Sequence, residues 1–295
     1  MRFRPCPSTI LEATAALALL VLLQSGGTAR GEDAGATPPV PNVYLDLRTT
    51  VSTLPAGAIS VGLGNSNLAA ALRALAAQSG RPGTSPASQS AVVDIPLTAD
   101  FDRLSLYGGI SASTSHNDVN GWSEFEVTSW HVGFQAELYR QDGGAIPTLT
   151  WQSTITRSLS TPLVATSTFS NILEASYALD ADETRGVLAG LQTTHVLADT
   201  SLVHVGPSVV GYVGGYYQWP NNWKLTARAG IQSFDGAQIL NLPQFRPFTQ
   251  PVVRFDLDRM DDDDNRLYGL TAQIAWVSKP SYQLVFRTPL SLARN

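Results

Sequence analysis

A chain of 295 residues with 24 Asp and Glu against 19 Lys and Arg carries a formal charge of −5, which excludes the basic surface that nucleic-acid binding needs. Its one cysteine excludes a disulfide framework and a Cys-ligated metal centre. Charged residues make up only 15% of the chain, well under the usual quarter.

Residues 1–31 read as a cleaved secretory signal. Arg2 and Arg4 precede an apolar run from Ala15 to Leu23, and Ala29 and Gly31 occupy the minus-three and minus-one positions before Glu32. The apolar run is too short to cross a bilayer as a helix, which takes about 20 residues. Residues 32–90 are rich in Pro, Gly, Ser and Ala and read as a polar segment interrupted by a short helix over 67–79, where Leu68, Leu72 and Leu75 share a face. The string L-P-A-G at 54–57 followed by this helix resembles the first helix of the periplasmic signalling domain of TonB-dependent receptors and secretins, over that one helix only.

From Ala91 onward the period changes from helix to strand. Leu104, Leu106 and Ile110 alternate with Ser105, Tyr107 and Ser111. Trp130, Val132, Phe134 and Ala136 alternate with His131, Gly133, Gln135 and Glu137, and Leu149, Trp151 and Ile155 with a run of Thr and Gln. Leu173, Ala175 and Tyr177 oppose Glu174 and Ser176. In N-N-W-K-L-T-A-R-A-G-I-Q at 221–232, Trp223, Leu225, Ala227, Ala229 and Ile231 stand opposite Lys224, Thr226, Arg228, Gly230 and Gln232. The same holds for Val253, Phe255 and Leu257 against Arg254, Asp256 and Asp258, and for Tyr282, Leu284 and Phe286 against Gln283 and Arg287. Successive side chains point to opposite faces of a strand, so each ribbon has one apolar and one polar side. Segments 186–197 and 202–217 are less clear, because Gly and Val occur on both faces.

Connections come in two sizes. R-Q-D-G-G at 140–144, D-A-D-E-T at 180–184, P-N-N at 220–222 and S-K-P-S at 278–281 have compact turn chemistry. Ser113–Gly121, Ser160–Thr168 and Asp235–Gln250 read as longer loops. A soluble sandwich alternates too, so the medium facing the apolar side is decided by other features. Several segments run about twelve residues, beyond the usual five or six and enough to cross a bilayer at a tilt. The polar faces carry Thr, Ser, Gln and Gly rather than Lys and Glu, and aromatics cluster at strand ends, as in Y-Y-Q-W-P-N-N-W at 216–223.

The reading is therefore all-β: a transmembrane antiparallel β-barrel over 91–295, of ten strands, or twelve if Val43–Val51 and Ala91–Thr98 join. With P-T-L-T-W-Q-S-T-I-T and R-L-Y-G-L-T-A-Q-I-A-W-V in view, the chain resembles bacterial outer-membrane porin-like barrels, most loosely the family associated with the MetA pathway of phenol degradation. It departs from the aromatic terminus common in such barrels, ending S-L-A-R-N with Phe286 as the last aromatic. The resemblance implies the outer membrane of a Gram-negative bacterium, contact with its lipid and folding by the barrel-assembly machinery.

Candidate lumen-lining residues are Lys224, Arg228, Arg254, Asp256, Glu174, Arg287, His131 and Gln135, since rings of fixed charge select and orient solutes in pores. No catalytic, metal or cofactor site is expected. The acidic run at 255–266 lacks the central Gly and distal Glu of an EF-hand loop and reads as a solvated turn. His131 shares a strand face with Ser129, but a nucleophile also needs an orienting partner and an oxyanion hole, and hydrogen-bonded lumen polars account for the same residues. The expected function is a channel or transporter for small solutes without covalent catalysis. A sealed structural or adhesive barrel is the first alternative, and a lipid-acting barrel enzyme the second.

Overall fold

The computed structural model describes residues 41–54, 88–117, 121–159, 165–239, 246–262, 266–277 and 279–293. They belong to one of two units of the chain, Val40–Asn295. The strands are β1 (Asn42–Leu54), β2 (Ser88–Asp100), β3 (Leu104–Asn117), β4 (Gly121–Trp122), β5 (Glu126–Tyr139), β6 (Thr148–Ser158), β7 (Thr166–Ala178), β8 (Arg185–Ala198), β9 (Val203–Val205), β10 (Ser208–Gln218), β11 (Trp223–Phe234), β12 (Ala237–Ile239), β13 (Phe248–Met260), β14 (Arg266–Val277) and β15 (Lys279–Ala293).

Twelve of these, all except β4, β9 and β12, form the wall of a closed antiparallel barrel. Each pairs with the next along the chain, and β1 pairs with both β2 and β15 to shut the ring. Closure satisfies the backbone groups that an edge would expose, which hydrocarbon cannot hydrate. The wall strands have 11 to 15 residues. At about 3.3 Å per residue and about 45° of tilt, twelve residues rise roughly 28 Å, close to the hydrocarbon thickness of a bilayer.

The twelve-strand count is the one observed, with both Val43–Val51 and Ala91–Thr98 in the wall. The first barrel strand thus lies inside the stretch 32–90 that the sequence assigns to a polar segment. Leu45, Leu47, Thr49 and Val51 form a weaker apolar face than later strands, which is why this ribbon is hard to recognise locally. The helix over 67–79 and the signal over 1–31 lie outside the described residues. Strand β3 runs on to Asn117 and β7 starts at Thr166, so two of the expected loops are shorter than their composition suggests.

The faces are inverted relative to a water-soluble protein. Val213 is 64% exposed and Ile231 62%, whereas the inward Gln232 and Gln250 are 0% and 1% exposed. Outward aromatics gather at two levels. Tyr139, Tyr217, Trp219 and Tyr268 stand near one end, and Trp130, Trp276 and Tyr282 near the other. On β14 the levels are marked by Tyr268 and Trp276, roughly 26 Å apart along the strand and about 20 Å apart in height once tilted. This is the girdle spacing of a membrane barrel.

Residues 101–103, 140–147, 179–184, 219–222 and 261–265 connect strands at one end, where β1 begins and β15 finishes. At this end Asn222 takes a positive φ of 62°, which Asn tolerates better than most residues, and its amide bonds the Trp219 carbonyl at 2.9 Å. In the turn at 179–184, the Thr184 hydroxyl bonds Asp180 and holds its carboxyl below the ordinary range. The opposite end carries the longer connections, two of which pair through β9 and β12, but also the tight hairpin between β14 and β15.

The ambiguity of 186–197 and 202–217 has a packing explanation. Gly186 and Gly190 face inward, and a Cβ on either would stand 2.5 and 2.4 Å from the rings of Tyr216 and Tyr212. The glycines are seats for tyrosine rings across the β8–β10 pair, so the inward side of β8 mixes Gly186, Leu188, Gly190 and Val196 with the polar Gln192 and Thr194. Gly190→Val is expected to destabilise the barrel by about 1–3 kcal/mol through overpacking. Urea unfolding in detergent micelles checks this, and in a Tyr212→Ala background the further cost of Gly190→Val should largely vanish, because the clash is with that ring.

Candidate functional site

Inward-facing side chains divide the lumen into two layers. Toward the end with longer connections, Gln192, Gln232, Gln250, Val210, Val252 and Phe234 are buried. The Gln232 amide donates to the Ser208 hydroxyl at 3.0 Å and the Gln250 amide to the Gln232 carbonyl at 2.6 Å, while the Phe234 and Phe248 rings meet at 5.4 Å. The Gln192 amide donates to the Ser170 hydroxyl at 3.4 Å. Burial of three glutamines is tolerable when each amide has a partner, since an unpaired buried amide costs about 1–3 kcal/mol.

Toward the short-turn end the interior opens into a cavity of about 470 Å³. One side of its wall is neutral and polar, including Thr98, Ser105, Gln135, Thr150 and Gln152. The other carries five arginines, Arg48, Arg228, Arg254, Arg266 and Arg287, with Glu174 and Asp258. The arrangement follows from strand order. Strands β11, β13, β14, β15 and β1 are consecutive in the ring, and each contributes an inward arginine.

The charges form networks. Arg228 bridges two acids: its Nη1 donates to Asp256 Oδ2 at 2.8 Å, and its Nε to Glu174 Oε2 at 3.2 Å. The Tyr212 hydroxyl donates to the same Glu174 oxygen at 2.9 Å, and the Arg228 guanidinium lies 5.9 Å from the Tyr212 ring centroid. Arg254 donates from Nη2 to Asp256 Oδ1 at 2.7 Å and from Nε at 2.9 Å, while the Thr271 hydroxyl donates to Oδ1 at 2.5 Å. Glu174 and Asp256, on β7 and β13, are thus joined through Arg228 on β11. A second group pairs Arg266 with Asp258 at 3.0 Å and Arg287 with Asp46, with Arg48 3.9 Å from that same carboxylate. Paired, hydrogen-bonded charges are the form in which ions survive partial burial.

Of the residues the sequence singles out, Gln135, Glu174, Arg228, Arg254 and Arg287 line this cavity. Asp256 does not line it but lies beneath two of its arginines, Arg228 and Arg254, as their anchor. Lys224 faces inward nearer the short-turn end, with its ammonium 4.7 Å from the centre of the Tyr216 ring. His131 stands apart with Nδ1 3.5 Å from Asp94, whose carboxylate also accepts the Ser111 hydroxyl at 2.9 Å.

The acidic run at 255–266 is mostly strand rather than solvated turn. Asp256 and Asp258 point inward on β13 with arginine partners, and the turn proper begins at 261. Among the described residues, no three His, Cys, Asp or Glu side chains are placed to hold a metal ion. Arg48, Asp46, Asp258 and Arg266 are site residues that sequence reading missed. For Arg48 and Asp46 the signal was their alternation with Leu45 and Leu47, and for Asp258 the parity it shares with Arg254 and Asp256; Arg266 is brought in by a register shift after Arg259.

No family model matches the chain, and no curated protein matches it. Among solved structures it is similar to an outer membrane channel from Pseudomonas putida F1, with a TM-score of 0.54 at 11% identity, covering 89% of this chain and 100% of that one. It is also similar to the transport unit of the autotransporter AIDA-I from Escherichia coli (TM-score 0.48, 10% identity, 91% and 95% covered). A third likeness is to the translocator domain of the autotransporter NalP from Neisseria meningitidis (TM-score 0.42, 14% identity, 94% and 97% covered). At such identities likeness speaks to the fold. With the closed ring, the outward apolar face and the polar lumen, the likeness to the Pseudomonas putida F1 channel establishes the chain as a twelve-stranded antiparallel barrel with the bacterial outer-membrane fold.

Proposed function

We propose that this protein is an outer-membrane channel for small polar solutes, with both termini and the short turns on the periplasmic side, and without covalent catalysis. Its surroundings on this reading are outer-membrane lipid, a small-molecule solute in the lumen, and the assembly machinery that inserts it after export by a cleaved signal. The observation that carries the reading is the charged, polar-walled cavity of about 470 Å³ inside the ring. Fixed charges around a wet interior are the means by which pores select solutes, whereas a barrel serving only as an anchor fills its interior with side chains.

The buried layer around Gln232, Gln250 and Phe234 favours a second reading, a barrel sealed toward its longer connections. Reconstitution into planar bilayers separates the two. A channel gives discrete current steps, and replacing Gln232 and Gln250 together with Gly should raise the step size by thinning that layer. Folded, heat-modifiable protein that gives no steps in either form would leave the sealed barrel standing and remove the channel.

A further inference from the structure

The cavity holds nearly as many acids nearby as bases, yet the two signs are not equally presented. Asp46 and Asp256 are covered by their arginine partners, with side chains 3% and 8% exposed, while Arg48 and Arg266 reach 33% and 41%. Five guanidinium groups face the space against the carboxylates of Glu174 and Asp258 alone. A solute entering the cavity therefore meets cationic surface, although the shell as a whole is close to balanced.

The surplus is sharpest where β1 meets β15. Arg48 and Arg287 are register partners on neighbouring strands and share one carboxylate, Asp46. Arg287 is hydrogen-bonded to it; Arg48 at 3.9 Å is beyond hydrogen-bond distance, and its buried Nε has no hydrogen-bond partner. Asp94 lies opposite Arg48 on β2, but its carboxylate is engaged by Ser111 and His131. Two planar forks thus stand side by side with one acid between them. A guanidinium fork matches the two oxygens of a carboxylate or the edge of a phosphate, which a point charge does not.

We infer that the lumen is an anion site: the Arg48–Arg287 pair binds the oxyanion of a small organic acid. The remainder of such a solute lies against the neutral wall, where Thr98, Ser105 and Gln135 offer hydrogen bonds. The inference deepens the channel reading but does not require conduction, since a sealed chamber open only to the periplasm would bind the same acid.

The test is calorimetric titration of the full chain in detergent with disodium succinate and, in parallel, with succinamide, which keeps the shape and lacks the charge. Succinate is expected to bind and succinamide not. Arg48→Gln should weaken succinate about tenfold, the ratio for one charge-assisted hydrogen bond lost. Arg48→Lys, which keeps the charge and loses the fork, should recover only part of that loss. No succinate heat with wild type, equal binding of succinamide, or unchanged affinity in a folded Arg48→Gln variant each overturns the inference. The wild-type comparison stands even if a variant fails to fold. Current steps without succinate binding defeat this inference alone; binding without current steps defeats the channel alone.

Discussion

Replacing Val213 with Arg is expected to destabilise the barrel in lipid vesicles by about 2–4 kcal/mol, the range for a cation on the lipid face at the bilayer midplane. Val213 sits mid-strand on β10, opposite Ala229 of β11, and is 64% exposed. In a water-soluble protein a change at such an exposed position falls within about 0.5 kcal/mol of zero, so this one variant discriminates between water and acyl chains as the outer medium. Urea-driven unfolding from phosphatidylcholine vesicles, followed by tryptophan fluorescence, measures it, with Val213→Leu as a near-neutral control. A wild-type unfolding curve for Val213→Arg would mean that this face does not contact hydrocarbon, and the membrane reading would not survive it.

The second large effect lies inside the ring. Asp256→Ala removes the carboxylate that accepts from Arg228, Arg254 and Thr271, and leaves two guanidinium groups facing each other across the β11–β13 pair. Breaking a buried ion pair by deleting one partner typically costs about 3–5 kcal/mol. Because the cavity borders these groups, the low end of about 3 kcal/mol is expected. Arg254→Met on top of Asp256→Ala should recover part of that loss, because it removes one of the two like charges that the Asp256 carboxylate holds together, while Arg228 keeps Glu174. The four chains of this cycle, unfolded under the same conditions, give the coupling directly. Additive losses in that cycle would mean that the two side chains do not act as a unit.

These two experiments probe opposite sides of one strand pattern, and the pattern was legible in the sequence. The run Trp223 to Gln232 states with each residue which side it occupies, because the two-residue period of a strand is local and needs no partner to be read. The polar sides of β5, β6 and β13 were equally clear. Recognition failed where the local code was overwritten by a neighbour's needs. Gly186 and Gly190 look featureless because the rings of Tyr216 and Tyr212 occupy their side-chain space. Strand β1 is hard to read locally, because its apolar face is only Leu45, Leu47, Thr49 and Val51, and 33 residues separate it from β2.

Sequence alone determined the all-β class, the inward and outward sets of most strands, and the choice between lipid and a second protein layer. All of these follow from alternation, strand length and the composition of each face. The tertiary structure decided what the inward charges do. Arg287 meets Asp46 across 241 positions of chain, and Glu174 reaches Arg228 across 54. Such pairings depend on which strands become neighbours when the ring closes and on the register between them. Both are set by contacts between distant segments, and no local period carries that information.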